Sequence, residues 1–242
     1  MPKVHNYSAG PCILPQEVLQ QAAEAVVNFN DLNLSLLEIS HRSKDFVEVM
    51  ENARALVKEL LDVPEGYQVL FLQGGASLGF LIAAYNFLPM GEKAAYINTG
   101  TWSDKAIKEA QRLGDVIEVA SSKEKNYSYI PSGFGIPNDA KYLHYTSNNT
   151  IFGTQFKTTP VSRIPLICDM SSDIFSKKIN VADFDLIYAG AQKNMGPAGT
   201  TLYIVKESAL GKTGNNIPAM LDLQTHIKKD SMFNTPPVYP IY

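Results

Sequence analysis

Tyr188-Ala-Gly-Ala-Gln-Lys193-Asn-Met-Gly-Pro-Ala-Gly199 sets one lysine directly behind an apolar run and directly ahead of a Gly/Pro turn. A lysine is normally a solvated surface group. One placed beside small residues at a strand end is open to desolvation, which lowers its pKa and prepares its amine for covalent chemistry. Upstream, the apolar run Pro165-Leu-Ile-Cys168 ends in Asp169. A carboxylate there is costly to bury without a partner, and a cationic heterocycle or a local cap would each serve. The two residues therefore form either a buried cation-binding pair or a site built around a working amine.

Working outward, strands alternate with helices. Residues 67–72, 93–98, 116–120, 141–146, 166–169, 186–189 and 201–205 read as strands, the last two joined by a tight turn. Residues 76–88 and 102–113 read as helices. Two more helices come first. One starts at Pro15, where a missing N–H costs nothing, and runs to about Phe29. The other starts near Ser43, with Phe46, Met50, Ala53, Val57 and Leu60 on one face. This alternation predicts an α/β domain with a mainly parallel sheet flanked by helices.

Such sheets bind ligands beyond the carboxyl ends of their strands. The segments there are Gln73-Gly-Gly-Ala-Ser77, Thr99-Gly-Thr-Trp102, Ser147-Asn-Asn-Thr150, Asp169 and Gln192-Lys193, each polar or glycine-rich. Gly74-Gly75-Ala76-Ser77 between strand and helix favours an anion on backbone N–H groups, or is an ordinary turn. It is neither GxGxxG nor a Walker A loop. Trp102, the single tryptophan, either stacks on a planar ligand or packs in the core. Arg42 offers a planar fork for a carboxylate from a helix start, where a cation is mildly unfavourable.

The 242 residues are 45% hydrophobic and 19% charged, enough to bury a sizeable core. A net charge of −3 and no basic stripe argue against nucleic acid. Cys12 and Cys168 form no disulfide framework, and Cys168 reads as core. His5, His41, His144 and His226 lack metal spacing, so no metal site is expected. With no apolar leader and no stretch of membrane-spanning length, a soluble cytoplasmic protein is expected.

Eight segments in order carry a resemblance covering nearly the whole chain. They are Tyr7-Ser-Ala-Gly-Pro11, Glu38-Ile-Ser-His-Arg-Ser43, Gln73-Gly-Gly-Ala-Ser77, Thr99-Gly-Thr-Trp-Ser103, His144-Tyr-Thr-Ser-Asn-Asn-Thr150, Asp169-Met-Ser-Ser172, Ala189-Gly-Ala-Gln-Lys-Asn194 and Phe233-Asn-Thr-Pro-Pro237. Together they resemble the phosphoserine aminotransferases, class-V pyridoxal-phosphate enzymes of the aspartate-aminotransferase fold type.

The resemblance implies pyridoxal 5′-phosphate as cofactor, with Lys193 as its covalent anchor and Asp169 paired with the pyridinium nitrogen. It further implies Trp102 stacked on the ring, Thr150 near the ring's phenolic edge, and Ala76, Ser77 and Gln192 on the 5′-phosphate. Asn234 and Thr235 would reach the phosphate of a neighbouring subunit, implying a homodimer. Arg42, helped by Ser8, would bind a substrate carboxylate. The implied reaction moves an amino group between L-glutamate and 3-phosphohydroxypyruvate, with a related activity on 4-phosphohydroxy-L-threonine. A non-catalytic cofactor-binding fragment and an alanine–glyoxylate-type aminotransferase are the competing expectations.

Two departures stand out. Gly79 occupies a position where the family often has Gln, although glycine inside a helix costs about 1 kcal/mol against alanine. Family members also continue past Asn-Thr-Pro-Pro into a small domain supplying the arginines and histidine that bind the substrate phosphate. Residues 16–242 are therefore expected to be the large cofactor-binding domain, with 1–15 associating with a small domain that this chain does not include.

Overall fold

The computed structural model describes residues 4–242, so the first three residues of the expected N-terminal segment 1–15 lie outside it. Helices α1 (Gln16–Val27) and α2 (Lys44–Leu61) precede β1 (Tyr67–Leu72), α3 (Gly75–Phe87), β2 (Lys93–Asn98), α4 (Thr101–Ala110), β3 (Asp115–Ser121) and β4 (Ala140–Thr146). A two-stranded hairpin of β5 (Asn148–Asn149) and β6 (Thr154–Gln155) follows, then β7 (Leu166–Asp169), β8 (Leu186–Gly190), α5 (Ala191–Asn194), β9 (Thr201–Lys206), α6 (Leu223–Lys228) and α7 (Val238–Ile241).

Seven strands form one sheet in the order β1-β9-β8-β7-β4-β2-β3. The pairs from β3 through β8 are parallel, whereas β9 runs antiparallel to both β8 and β1. The carboxyl ends of β1, β2, β4, β7 and β8 therefore share one edge of the sheet. The reversed β9 delivers its first residue to the same edge, where Thr201 pairs with Gly190.

Alternation along the strands splits the core in two. Val69, Phe71, Ile97, Tyr145, Cys168, Ile187 and Ile204 pack with Phe46, Met50 and Val57 of α2. Leu70, Leu72, Tyr96, Tyr142, Ile167, Tyr188 and Tyr203 pack with Phe80, Ile82 and Ala83 of α3 and with Ala106 and Ile107 of α4. A sheet covered on both faces needs continuous apolar runs, which is what these strands carry.

Ser43 caps α2 by accepting from the Phe46 N–H at 3.4 Å, and Asp62 closes the helix in the left-handed region with φ 49°. The buried face of α2 is Phe46, Met50, Arg54, Val57 and Leu61. Leu60, expected inside, is exposed, because an i, i+4, i+7 series carried over four turns drifts off a straight helix and Leu61 takes its place. The first helix stops at Val27, short of Phe29. The expected tight turn between the last two strands is instead Ala191–Thr200, which holds the helical turn α5. Lys193 thus stands within that turn, just beyond the strand end.

Among the described residues no helix is long and apolar enough to cross a membrane.

Candidate active site

The strand ends meet around Lys193. Its Nζ donates to Thr150 Oγ1 at 2.9 Å and lies 4.7 Å from the centre of the Trp102 ring. Trp102 Nε1 donates to the same hydroxyl at 3.1 Å. Thr150 therefore uses its acceptor capacity on two site residues and keeps its own O–H to donate elsewhere. Burial lowers the Lys193 pKa from the ordinary value of 10.5, while the carboxylate of Asp169 pulls it back up.

Asp169 closes β7 and is buried. Its Oδ1 accepts from the Ser171 N–H at 2.9 Å and the Ser171 hydroxyl at 2.6 Å. Burial raises its pKa; the Ser171 bonds and the Lys193 charge oppose that rise. A desolvated amine and a desolvated carboxylate thus temper each other's shifts at one strand edge, as functional sites commonly arrange.

The start of α3 supplies an anion cradle. Gly74, with φ 99°, and Gly75, with φ 63°, turn the chain in a region that side chains avoid. No side chain caps the helix, which leaves its first N–H groups, those of Ala76 and Ser77 among them, for an outside acceptor. A Cβ at Gly190 would meet the Gln192 Oε1 at 2.9 Å and the Ala76 N at 3.4 Å, so glycine there lets the Gln192 carboxamide approach the cradle. An amine, a buried carboxylate, an indole face and an uncapped helix start together match the aldehyde, pyridine nitrogen, ring and phosphate of pyridoxal phosphate.

Two expected cradle residues come from far along the chain. Asn234 Nδ2 donates to Gln73 Oε1 at 3.0 Å, and Gln73 Nε2 donates to the Thr235 carbonyl at 2.8 Å. The structure thus seats both on their own chain's glycine turn. Ser8 and Arg42 are exposed, and their backbone N–H groups bond to Asn6 and Ser40 respectively. Neither side chain joins the hydrogen bonds around Lys193.

The sequence reading missed several contributors. The Cys12 N–H donates to the Gln192 carbonyl at 3.1 Å, and the Cys12 thiol contacts the Lys193 carbonyl. Just before it, a Cβ on Gly10 would lie 2.8 Å from Lys193 Cγ. The Gly10–Cys12 strap therefore rides on the lysine's own backbone. Gly-Pro-Cys carries no spacing signal, so only the fold reveals the contact. Below the edge, Tyr188 Oη and His144 Nε2 are 2.7 Å apart, and burial pushes the imidazole pKa down to about 3, leaving it neutral. Gly79 now has a reason: a Cβ there would lie 2.7 Å from the Tyr188 ring.

Among the described residues no group of three or more His, Cys, Asp or Glu is arranged to hold a metal ion. Two surface hollows, of about 580 and 520 Å³, are lined by Arg163 at the amino ends of the strands, away from this chemistry.

Comparison with known proteins agrees with the geometry. Residues 4–242 match the model of the aminotransferase class-V family. The chain is 65% identical to phosphoserine aminotransferase of Flavobacterium psychrophilum over 99% of its own length and 68% of that protein's. Its structure superposes on phosphoserine aminotransferase from Bacillus circulans subsp. alkalophilus with a TM-score of 0.93 and 44% identity, covering 98% of this chain and 67% of that one. It also superposes on the PLP-bound enzyme from Trichomonas vaginalis with a TM-score of 0.93 and 35% identity, covering 99% and 68%.

Proposed function

We propose that this chain, which belongs to the class-V aminotransferases and within them to the phosphoserine aminotransferases, transfers an amino group between L-glutamate and 3-phosphohydroxypyruvate. The products are 2-oxoglutarate and O-phospho-L-serine, and pyridoxal 5′-phosphate is the cofactor. The observation that carries this reading is Lys193, desolvated and held by Thr150 over Trp102, with the buried Asp169 near enough to temper its shift. The same chemistry extends to 4-phosphohydroxy-L-threonine, whose reacting end has the same amino and carboxyl groups and whose phosphate lies at the other end of the molecule.

When bound, the cofactor supplies an electron sink for the charge that develops as the substrate Cα–H bond breaks. Lys193 Nζ would hold the cofactor and would serve as the general base for the substrate Cα proton. Its lowered pKa keeps the neutral amine populated at lower pH than an ordinary lysine would. Asp169, oriented by two bonds from Ser171, would pair with the pyridine nitrogen and keep a proton there. The Thr150 hydroxyl, which accepts from Lys193 and Trp102, would have its own proton free for the ring's phenolic oxygen. Trp102 would cover one face of the ring and exclude water from it.

Ala76 and Ser77 N–H groups and the Gln192 carboxamide take the phosphate. In a homodimer, Asn234 and Thr235 are assigned to the phosphate held by a second subunit. Arg42 and Ser8, exposed here, are assigned the substrate carboxylate. The chain spans 68% of the length of the Flavobacterium psychrophilum relative. Groups that select the substrate phosphate are assigned to the portion that such relatives have beyond the matched region, which would form a small domain with residues 1–15.

The test is Lys193→Ala. Loss of the visible absorbance of lysine-attached pyridoxal phosphate, together with at least a roughly hundredfold fall in glutamate-dependent turnover of 3-phosphohydroxypyruvate, is expected. A variant that kept both would remove Lys193 from its role.

A further inference from the structure

One buried carboxyl group near the site has no part in the chemistry above. Asp173 is 5% exposed and lies beyond β7, four residues past the carboxylate assigned to the pyridine nitrogen. Its charge works against the ionisation of Asp169, so electrostatics gives it no favourable part in that residue's task. Its hydrogen bonds point elsewhere. One carboxylate oxygen accepts from the Ser147 hydroxyl, and the other from Gln155 Nε2 at 3.3 Å, with the Lys177 ammonium 3.7 Å away.

Ser147 and Gln155 are the two roots of the β5–β6 hairpin, in which Asn148 pairs with Gln155 and Asn149 with Thr154. The roots are joined by the Phe156 N–H donating to the Ser147 carbonyl at 2.9 Å. The Lys177 ammonium also donates to the Phe156 carbonyl at 3.1 Å. Ser147 is tied in turn to Asp169, its N–H reaching the Asp169 carbonyl at 3.0 Å and its hydroxyl lying 3.1 Å from the same oxygen. The turn of this hairpin begins at Thr150, the hydroxyl shared by Lys193 and Trp102.

We propose that Asp173 is a positioning residue: it grips both roots of the 148–155 hairpin and thereby holds Thr150 against Lys193 and Trp102. The cofactor half of its test rests on the pyridoxal-phosphate reading; the contact half does not. A two-stranded hairpin this short has little stability of its own, so its placement must come from outside it. A buried carboxylate that accepts from both roots supplies that, because hydrogen bonds to a charged group are the stronger kind.

The experiment uses Asp173→Ala and Asp173→Asn, with Asp185→Ala as control. Asp185 accepts from the Leu166 N–H at the opposite end of β7, so its loss weakens the same strand without touching the hairpin. Trp102, the single tryptophan, reports directly. In cofactor-free protein, Asp173→Ala should shift Trp102 emission to longer wavelength and make it about twofold more quenchable by acrylamide, since the indole N–H loses Thr150. Pyridoxal phosphate should leave the loaded Asp173→Ala protein about tenfold faster, the effect of one lost charge-assisted bond. Asp173→Asn, whose carboxamide oxygen still accepts from Ser147, should lie much nearer the native values, and Asp185→Ala should match them.

Native emission and native dissociation in folded Asp173→Ala would overturn the proposal, as would an equal change in Asp185→Ala. Should Asp173→Ala fail to fold, Ser147→Ala severs the same root and carries the same expectations. Failure of the native protein to attach pyridoxal phosphate would sink the cofactor reading alone and leave the emission test standing.

Discussion

Lys193 and Asp169 set each other's chemistry. The amine is pushed down by burial and held up by Asp169; the carboxylate is pushed up by burial and held down by Ser171 and Lys193. Attachment of pyridoxal phosphate to cofactor-free protein consumes the neutral amine, so its rate should rise with pH and level off below 10.5. In Asp169→Asn the supporting charge is gone, so the midpoint should move to still lower pH. Stopped-flow absorbance against pH checks this, and an unmoved or raised midpoint would refute the coupling. Gly79 makes a second residue-scale case. Gly79→Ala gains helix propensity but drives a methyl into the Tyr188 ring, and overpacking of a filled core costs about 1–3 kcal/mol. Thermal unfolding should show a net loss; a gain would mean that Tyr188 moves aside freely.

At the scale of elements, α3 carries two duties on one end. Its first N–H groups are uncapped, and its body is nearly all buried, so the anion cradle is fixed to the core by Phe80, Ile82 and Phe87. A carboxylate introduced by Ser77→Glu should stabilise the helix by about 0.3–1 kcal/mol through its favourable interaction with the N-terminal dipole. The same charge should weaken pyridoxal-phosphate affinity by repelling the phosphate. Opposite signs in thermal unfolding without cofactor and in cofactor titration are the expected outcome. Tighter cofactor binding in this variant would move the phosphate off α3. The hairpin that carries Thr150 was unreadable beforehand because each strand has only two residues, too few for any period to show. The helical turn α5 escaped for the same reason.

For the whole molecule, the alternation of strands and helices was legible because a doubly covered sheet demands apolar runs such as Val69–Leu72 and Leu166–Cys168. The ligand edge was legible because polar and glycine-rich segments follow those runs. What hid was whatever depends on contacts distant in sequence: the Gly10–Cys12 strap on Lys193, the reach of Gln73 to Asn234, and the clash that Gly79 avoids. The reversal of β9 also left no mark, since a buried strand reads alike in either direction.

That reversal bears on how the protein is made. Tyr67–Leu72 leaves the ribosome early, yet β9, its sheet neighbour, is Thr201–Lys206. The glycine turn hangs from β1, and its partners Asn234 and Thr235 arrive later still. Domains emerge from the amino end, but this one must keep an early strand waiting for a late one. With the phosphate assigned to that turn as proposed, a nascent chain would have its lysine before it had a finished seat for the phosphate, and the cofactor would lodge fully only in a chain whose sheet has closed.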